Sequence, residues 1–257
     1  IPSIVIIQIG NNQASNVYVR NKLKLCEKLA VNGKLKHLEE NIAEIELIKL
    51  IKNLNDDKNV NGILVQLPLP GHIDENKIIE TINPIKDVDC FHLENVGKIW
   101  TAKKRFKGIL PCTPDGIIEI LKRSHIEMEG KNVVILGRSN IVGKPLAALF
   151  LLENATVTIC HSKTNNLINI CSRADVLVAA IGKAKFITKA YTNNHQIIVD
   201  VGMNRDENNK LCGDVDFENV KDCVYAISPV PGGVGPMTIV MLIKNLISAT
   251  KLQNDKK

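Results

Sequence analysis

Aromatic residues make up only 4% of this 257-residue chain. There is no arginine-rich face interleaved with rings, which argues against nucleic acid as a partner. No apolar run approaches the roughly 18 residues of a membrane span, and no signal peptide is visible. The chain opens directly on the strand-like stretch Ile4 to Ile9. A trimmed start is therefore expected, with an organellar leader left open beside a cytoplasmic location. Seven cysteines, an odd number, contain no C-x-x-C pair. Neither zinc nor a disulfide framework is expected, no metal is assigned, and a reducing compartment fits. What is present is ordinary: 45% apolar residues and a net charge of +6 with mixed signs. That balance is compatible with anionic small ligands, and the length allows one large domain or two modest ones.

The most informative stretch is Gly130 to Leu152, GKNVVILGRSNIVGKPLAALFLL. Val133 to Leu136 is a strand suited to burial on both faces. Gly137 ends it, Gly143 opens the next element, and Pro145 suits the first turn of a helix. A strand entering a helix through glycines presents backbone N–H groups and the positive end of a helix dipole, which favours phosphate. Ser139 stands where the second glycine of G-x-G-x-x-G would be, so spacing alone leaves nucleotide binding and a plain βα turn both open. The following strand, Ala155 to Cys160, ends in His161-Ser162-Lys163. A dinucleotide fold that takes NAD would carry an acid there for the ribose 2′-hydroxyl. Basic and hydroxyl donors, with Arg138 in the glycine turn, favour the 2′-phosphate of NADP.

Taken in order, Ser3 to Gly10 reads as a strand and Ala14 to Asn32 as a helix, with Val17, Leu25 and Leu29 on its apolar side and Gly33 as its stop. Ile42 to Leu54 has helical spacing. GILVQLPLP, Gly62 to Pro70, begins as a buried strand and places Gln66 at its end, where open α/β sheets put their ligands. A short helix follows from Asp74 to Thr81. TAKKRFKG, after Gly97, reads as irregular, and PCTPDG leads into a helix over Ile117 to Leu121. Further strands are expected at Val176–Ile181, Ile197–Val201 and Cys223–Ile227, giving a parallel sheet wrapped on both faces. Pro229 to Met237, PVPGGVGPM, reads as a tight loop before a last helix from Thr238 to about Thr250. LQNDKK reads as a frayed tail.

Single residues say little. Tyr18 and Lys22 share a helix face, and a lysine there is more often a solvated charge. Asp87 and Asp89 alternate on an extended segment, so one can face a cleft while the other makes structural bonds. Together, however, YVRNK, GILVQLPLP, PIKDVDCFH, PCTPDG, GRSNIVGKP, ATVTICHSKT, VDVGMNR, GDVDF and PVPGGVGPMT resemble the bifunctional methylenetetrahydrofolate dehydrogenase/methenyltetrahydrofolate cyclohydrolase family, in the family's order over nearly the whole chain. The resemblance implies an α/β fold of two lobes. One is an N-terminal catalytic lobe, residues 1–115 completed by a C-terminal helix, 237–257. The other is a Rossmann-like NADP-binding lobe, 116–236, with folate in the cleft between them. It implies hydride transfer from 5,10-methylenetetrahydrofolate to NADP, then opening of the methenyl cation by water to 10-formyltetrahydrofolate, in a homodimer. By likeness Lys22 is the acid/base, Gln66 its amide partner, Asp89 the carboxylate on the pterin and Tyr18 the ring against the folate. Pro231, Gly232 and Gly235 would line folate and nicotinamide. Gly137, Arg138, Ser139, His161, Ser162 and Thr113 would meet the cofactor.

The chemistry suits these roles. An ammonium would repel the cationic intermediate and could not take a proton from water, so hydrolysis needs Lys22 as the free amine. Gln66 holds that amine without adding negative charge. Asp89 offers two acceptors to the donor edge of a pterin. Hydride transfer needs mainly positioning. The chain departs from the family at Cys90, where glycine is usual. The side chain would either crowd the segment or sit in an extended conformation. The loop Asp206 to Lys210 lacks a customary glycine, and the family's first helix is absent. The rivals are an oxidoreductase of the shikimate dehydrogenase type, which does not need the set Tyr18, Lys22, Gln66 and Asp89, and a folate- or NADP-binding protein without turnover. A monofunctional enzyme lies between.

Overall fold

The computed structural model describes residues 1–104 and 108–255. In chain order the elements are β1 (Ser3–Ile9), α1 (Gln13–Lys28), β2 (Asn32–Leu38), α2 (Glu44–Asp56), β3 (Gly62–Val65), α3 (Glu75–Thr81), α4 (Leu93–Thr101) and α5 (Cys112–Arg123). Then come β4 (Asn132–Leu136), α6 (Gly143–Leu152), β5 (Thr156–Cys160), α7 (Leu167–Cys171), β6 (Val176–Ala179), β7 (Ile197–Asp200), β8 (Asn204–Arg205), β9 (Leu211–Cys212), α8 (Phe217–Val220), β10 (Ala226–Ile227) and α9 (Val234–Asn254). They divide into two compact units. Among the described residues the first takes 1–98, 108–112 and 239–255, and the second 99–104 and 113–238.

The first unit is built on a parallel sheet of order β2-β1-β3. Every residue of β1 is buried, as its near-continuous apolar sequence requires of a strand covered on both faces. Leu47, Ile48, Ile51 and Leu54, at helical spacing on α2, pack with Val5, Ile7, Ile9, Ile63 and Val65 in one core. The first helix is shorter than its periodicity predicts. It ends at Lys28, residues 29–31 assigned to the helix end form a turn through Ala30 at φ 53°, and β2 begins at Asn32. Gly33 is therefore no helix stop but a strand residue. A Cβ there would stand 2.9 Å from the Cβ of Cys26, so glycine lets β2 lie close under α1. The strand itself, NGKLKHL, is mostly exposed and has weak β-propensity. Its parallel register with β1, Ser3↔Asn32 through Ile9↔Leu38, is what makes it a strand.

The second unit carries a five-stranded parallel sheet of order β10-β7-β6-β4-β5, with Val134, Leu136, Leu177, Ala179 and Ile198 in its core. The predicted strand over 223–227 shrinks to β10, because Lys221–Cys223 form a single 3₁₀ turn. The segment read as irregular before residue 108 begins inside α4, and Arg105, Phe106 and Lys107 of TAKKRFKG lie outside the described residues. The last helix starts earlier than its Pro and Gly content suggests. Val234 to Met237 already belong to α9, because Pro236 falls in the first turn, where its missing N–H breaks no bond. The same helix runs on through Leu252–Asn254, where a frayed tail is predicted. Among the described residues no helix is long and apolar enough to cross a membrane.

Candidate functional site

In the first unit, α1 turns Ser15, Val19, Lys22 and Cys26 inward. Those positions fall on one helical stripe. Val17 and Leu29, read as apolar-face residues, are instead 43% and 51% exposed. Lys22 thus sits where an aliphatic residue belongs, only 6% exposed. Lysine is almost never buried without a partner, and here Nζ donates to Gln66 Oε1 at 3.0 Å. Gln66 follows directly on β3, and its own amide nitrogen donates to Leu67 O at 2.9 Å, which turns its oxygen toward the lysine. Tyr18, one turn before Lys22, is half-buried, and burial pushes its phenol up.

Asp87 and Asp89 do separate, as alternation predicts, though not on a strand. Among the described residues an isolated bridge, Ile63↔Asp87, joins the segment to the sheet, and a turn follows. Asp87 is 2% exposed and accepts from His92 N at 2.9 Å and Asn95 Nδ2 at 3.0 Å. Burial is the larger influence on it and pushes its carboxyl up. Asp89 is half-buried. Its neighbour Val88 is held by two groups absent from the predicted set: its carbonyl accepts from Asn245 Nδ2 at 2.8 Å and from Cys112 Sγ at 3.4 Å. The Cys112 thiol is pushed well above the usual thiol range, by burial first and then by the Asp89 carboxylate, with Lys22 acting the other way. Lys22, Gln66 and Asp89 therefore form one neighbourhood around Cys112. Nothing in the sequence alone marks Asn245, a polar residue on an apolar helix face some 150 positions away.

Cys90 corrects one expectation. Its backbone is not extended but left-handed, at φ 62°, which explains why glycine is usual there: Cβ sterics disfavour this region for other residues. The side chain is fully buried and donates to Ile109 O at 3.3 Å, so it fills space rather than displacing Asp89. We expect Cys90→Gly to change stability by no more than about 1 kcal/mol, relief of strain offsetting lost burial. Cys90→Val should cost about 2 kcal/mol or more, because a branched side chain tolerates positive φ badly. Thermal melts of both variants check this. The other departure resolves similarly. Asn209 takes φ 60° in the β8–β9 turn, a conformation asparagine tolerates better than most residues.

In the second unit, β4 and β5 pair with Leu136 opposite Cys160, and Gly137 N donates to Cys160 O at 2.9 Å. The turn Gly137–Ser139 and the turn His161–Lys163 therefore lie side by side at the carboxyl edge of the sheet. Gly137 has φ 125°, and a Cβ on it would stand 2.2 Å from Ala180 O, so glycine is required. Arg138, Ser139 and Ser162 are exposed and His161 half-buried. The helix entry is less bare than predicted: Ser139 Oγ accepts from Val142 N at 3.2 Å and Gly143 N at 3.3 Å, leaving its hydroxyl hydrogen to donate elsewhere. Thr113 Oγ1 bonds Thr238 Oγ1 at 3.0 Å. Pro231 and Gly232 are exposed, Gly232 at φ 104°, and Gly235 lies in the first turn of α9. Sequence reasoning missed Asp200 and Asp214, both buried, although VDVGMNR and GDVDF carry them.

A parallel sheet with a glycine turn entering a helix at its carboxyl edge defines the class: this is a dinucleotide-binding α/β protein. The comparisons narrow the class. Residues 1–89 match the catalytic domain, and residues 111–254 the NAD(P)-binding domain, of tetrahydrofolate dehydrogenase/cyclohydrolase; the chain belongs to that family. It is 57% identical over 249 residues, 97% of this chain and 87% of the relative, to the "Bifunctional protein FolD" of Lachnoclostridium phytofermentans. The crystal structure of the Campylobacter jejuni FolD methylenetetrahydrofolate dehydrogenase/cyclohydrolase is 46% identical, with a TM-score of 0.94 over 98% of this chain and 89% of that one. The Trypanosoma brucei enzyme, solved with NADP cofactor and inhibitor, is 34% identical, with a TM-score of 0.93 over 98% of this chain and 88% of that one. A shikimate dehydrogenase of Thermus thermophilus, 15% identical over 97% of this chain and 92% of that one with a TM-score of 0.57, shares the fold alone.

Proposed function

We infer that this chain performs both reactions for which its family is named. It oxidises 5,10-methylenetetrahydrofolate with NADP to the methenyl cation and then hydrolyses that cation to 10-formyltetrahydrofolate. The observation that carries the site assignment is the buried amine of Lys22, bonded to a neutral amide at 3.0 Å. The neutral amide fixes the nitrogen in place and adds no charge of its own to the site. Such an amine can accept a proton from the attacking water and return it to the opening ring. Asp89 would take the donor edge of the pterin, and Tyr18 would lie against the folate.

The sheet of the second unit would hold NADP, with the pyrophosphate over the Gly137–Ser139 turn and the 2′-phosphate near Arg138, His161 and Ser162; Thr113 would lie near the cofactor. NADP, when bound, supplies the hydride acceptor. Pro231, Gly232 and Gly235 would line folate and nicotinamide. The same proposal includes the lobe assignment, 1–115 with 237–257 for folate and 116–236 for NADP. It also includes a homodimer and a cytoplasmic setting; the setting is supported by seven free cysteines, which suit a reducing compartment.

One absorbance assay tests the activity: methenyl-tetrahydrofolate should accumulate on mixing enzyme, methylene substrate and NADP, and then decay. Absence of both phases sinks the reading. Gly137→Ala separates the halves. A methyl group forced against Ala180 O must move the glycine turn, and a displacement of about 1 Å can cost on the order of 100-fold. The NADP-dependent step should fall by about that factor, while hydrolysis of added methenyl substrate stays within roughly 2-fold, since it uses no dinucleotide.

A further inference from the structure

At the carboxyl edge of the second sheet, the turn after β6 is built around a side chain from elsewhere. Asp214 is fully buried. Its Oδ2 accepts from Ile181 N at 2.7 Å and Gly182 N at 3.1 Å, and its Oδ1 from Lys183 N at 2.8 Å and Asn204 Nδ2 at 2.9 Å. Three successive backbone N–H groups converge on one carboxylate, an arrangement that ordinarily forms a concave anion site. Here the chain supplies the anion itself. Asp214 is in turn anchored by Asp200 at the end of β7, whose carboxylate accepts from Gly202 N, Asp214 N and Val215 N, each at 2.9 Å. The packing leaves no slack: a Cβ on Gly213 would stand 1.8 Å from Asp200 Oδ2, and one on Gly202 2.5 Å from Asp214 Oδ1.

This chain of bonds ends against the glycine turn. Ala180, the residue before Ile181, is the one whose carbonyl would meet a Cβ on Gly137. The turn that Asp214 shapes and the turn read as the pyrophosphate site are thus in direct contact, on neighbouring strands β6 and β4. We propose that Asp214 is a positioning residue for the dinucleotide: by holding the Ile181–Lys183 backbone it fixes one wall of the cofactor site, so cofactor affinity depends on it while folate affinity does not. The proposal rests on the reading of the second unit as the NADP unit.

Asp214→Asn is the test. An amide keeps one acceptor and turns a donor toward the N–H groups the other oxygen served, so two of the four bonds must break. The KM for NADP should rise about 10-fold or more. The KM for methylenetetrahydrofolate and the NADP-free hydrolysis of added methenyl substrate should stay within roughly 2-fold. A folded variant in which NADP-linked oxidation and NADP-free hydrolysis fall together would overturn the proposal, as would a folded variant with an unchanged KM for NADP. Should Asp214→Asn fail to fold, Asn204→Ala decides. It removes one half-buried donor and should raise the NADP KM about 2- to 5-fold with hydrolysis unaltered; an unchanged NADP KM there also refutes the role. Wild-type protein showing no NADP-linked oxidation would instead sink the functional reading.

Discussion

Lys22→Met should abolish hydrolysis of the methenyl cation, with a fall of roughly 1,000-fold or more, the range in which a positioned general base acts. Methionine is close to lysine in length and apolar, and the site is already buried among Val19 and Cys26 on the inner stripe of α1, so the variant should fold. Its one structural cost is the loss of the donor to Gln66 Oε1. Gln66 is only half-buried, and water can replace a partner lost at such a site. Hydride transfer should suffer less, because the nitrogen beside the reacting carbon stabilises the cation and the enzyme's main task is to align two rings. The decisive measurement is the decay of methenyl-tetrahydrofolate absorbance at a pH where the spontaneous reaction is slow. An undiminished rate in the variant would remove Lys22 from the mechanism.

Asp89→Ala should raise the KM for the folate substrate by about 10- to 100-fold in both reactions, the loss expected for one or two hydrogen bonds to a charged acceptor. The KM for NADP should hold. The segment should keep its shape, because what anchors it is not Asp89 itself: Asn245 and Cys112 hold the Val88 carbonyl, and Asp87 is tied to His92 and Asn95. Asp89→Asn discriminates further. One acceptor survives there, and the folate KM should fall between those of wild type and alanine. Equal loss of affinity for NADP and folate in Asp89→Ala would mean that the residue is structural, and titration of each ligand separately settles the point.

Local chemistry made much of this protein readable. Continuous apolar runs marked β1 and β4 because a strand buried on both faces has no polar side to show. The glycine turn after β4 was visible because a backbone at φ 125° with no room for a Cβ admits no other residue. Where local preference was weak, reading failed. NGKLKHL carries no strand pattern and is held only by its pairing with β1. The start of α9 was hidden by prolines and glycines that cost nothing in a first turn.

The sequence by itself determined the α/β class, the placing of glycines at obligatory turns, and, through motif resemblance, the family. These rest on interactions between residues close along the chain, whose geometry is the same wherever they occur. Only the tertiary structure decided that Lys22 points inward onto a neutral amide, that Cys90 sits in a left-handed backbone, and that Asp214 and Asn245 support elements far from them in the chain. Burial and long-range hydrogen bonds depend on which segments meet in space. A charged or polar residue does not reveal its partner until the fold has removed it from water.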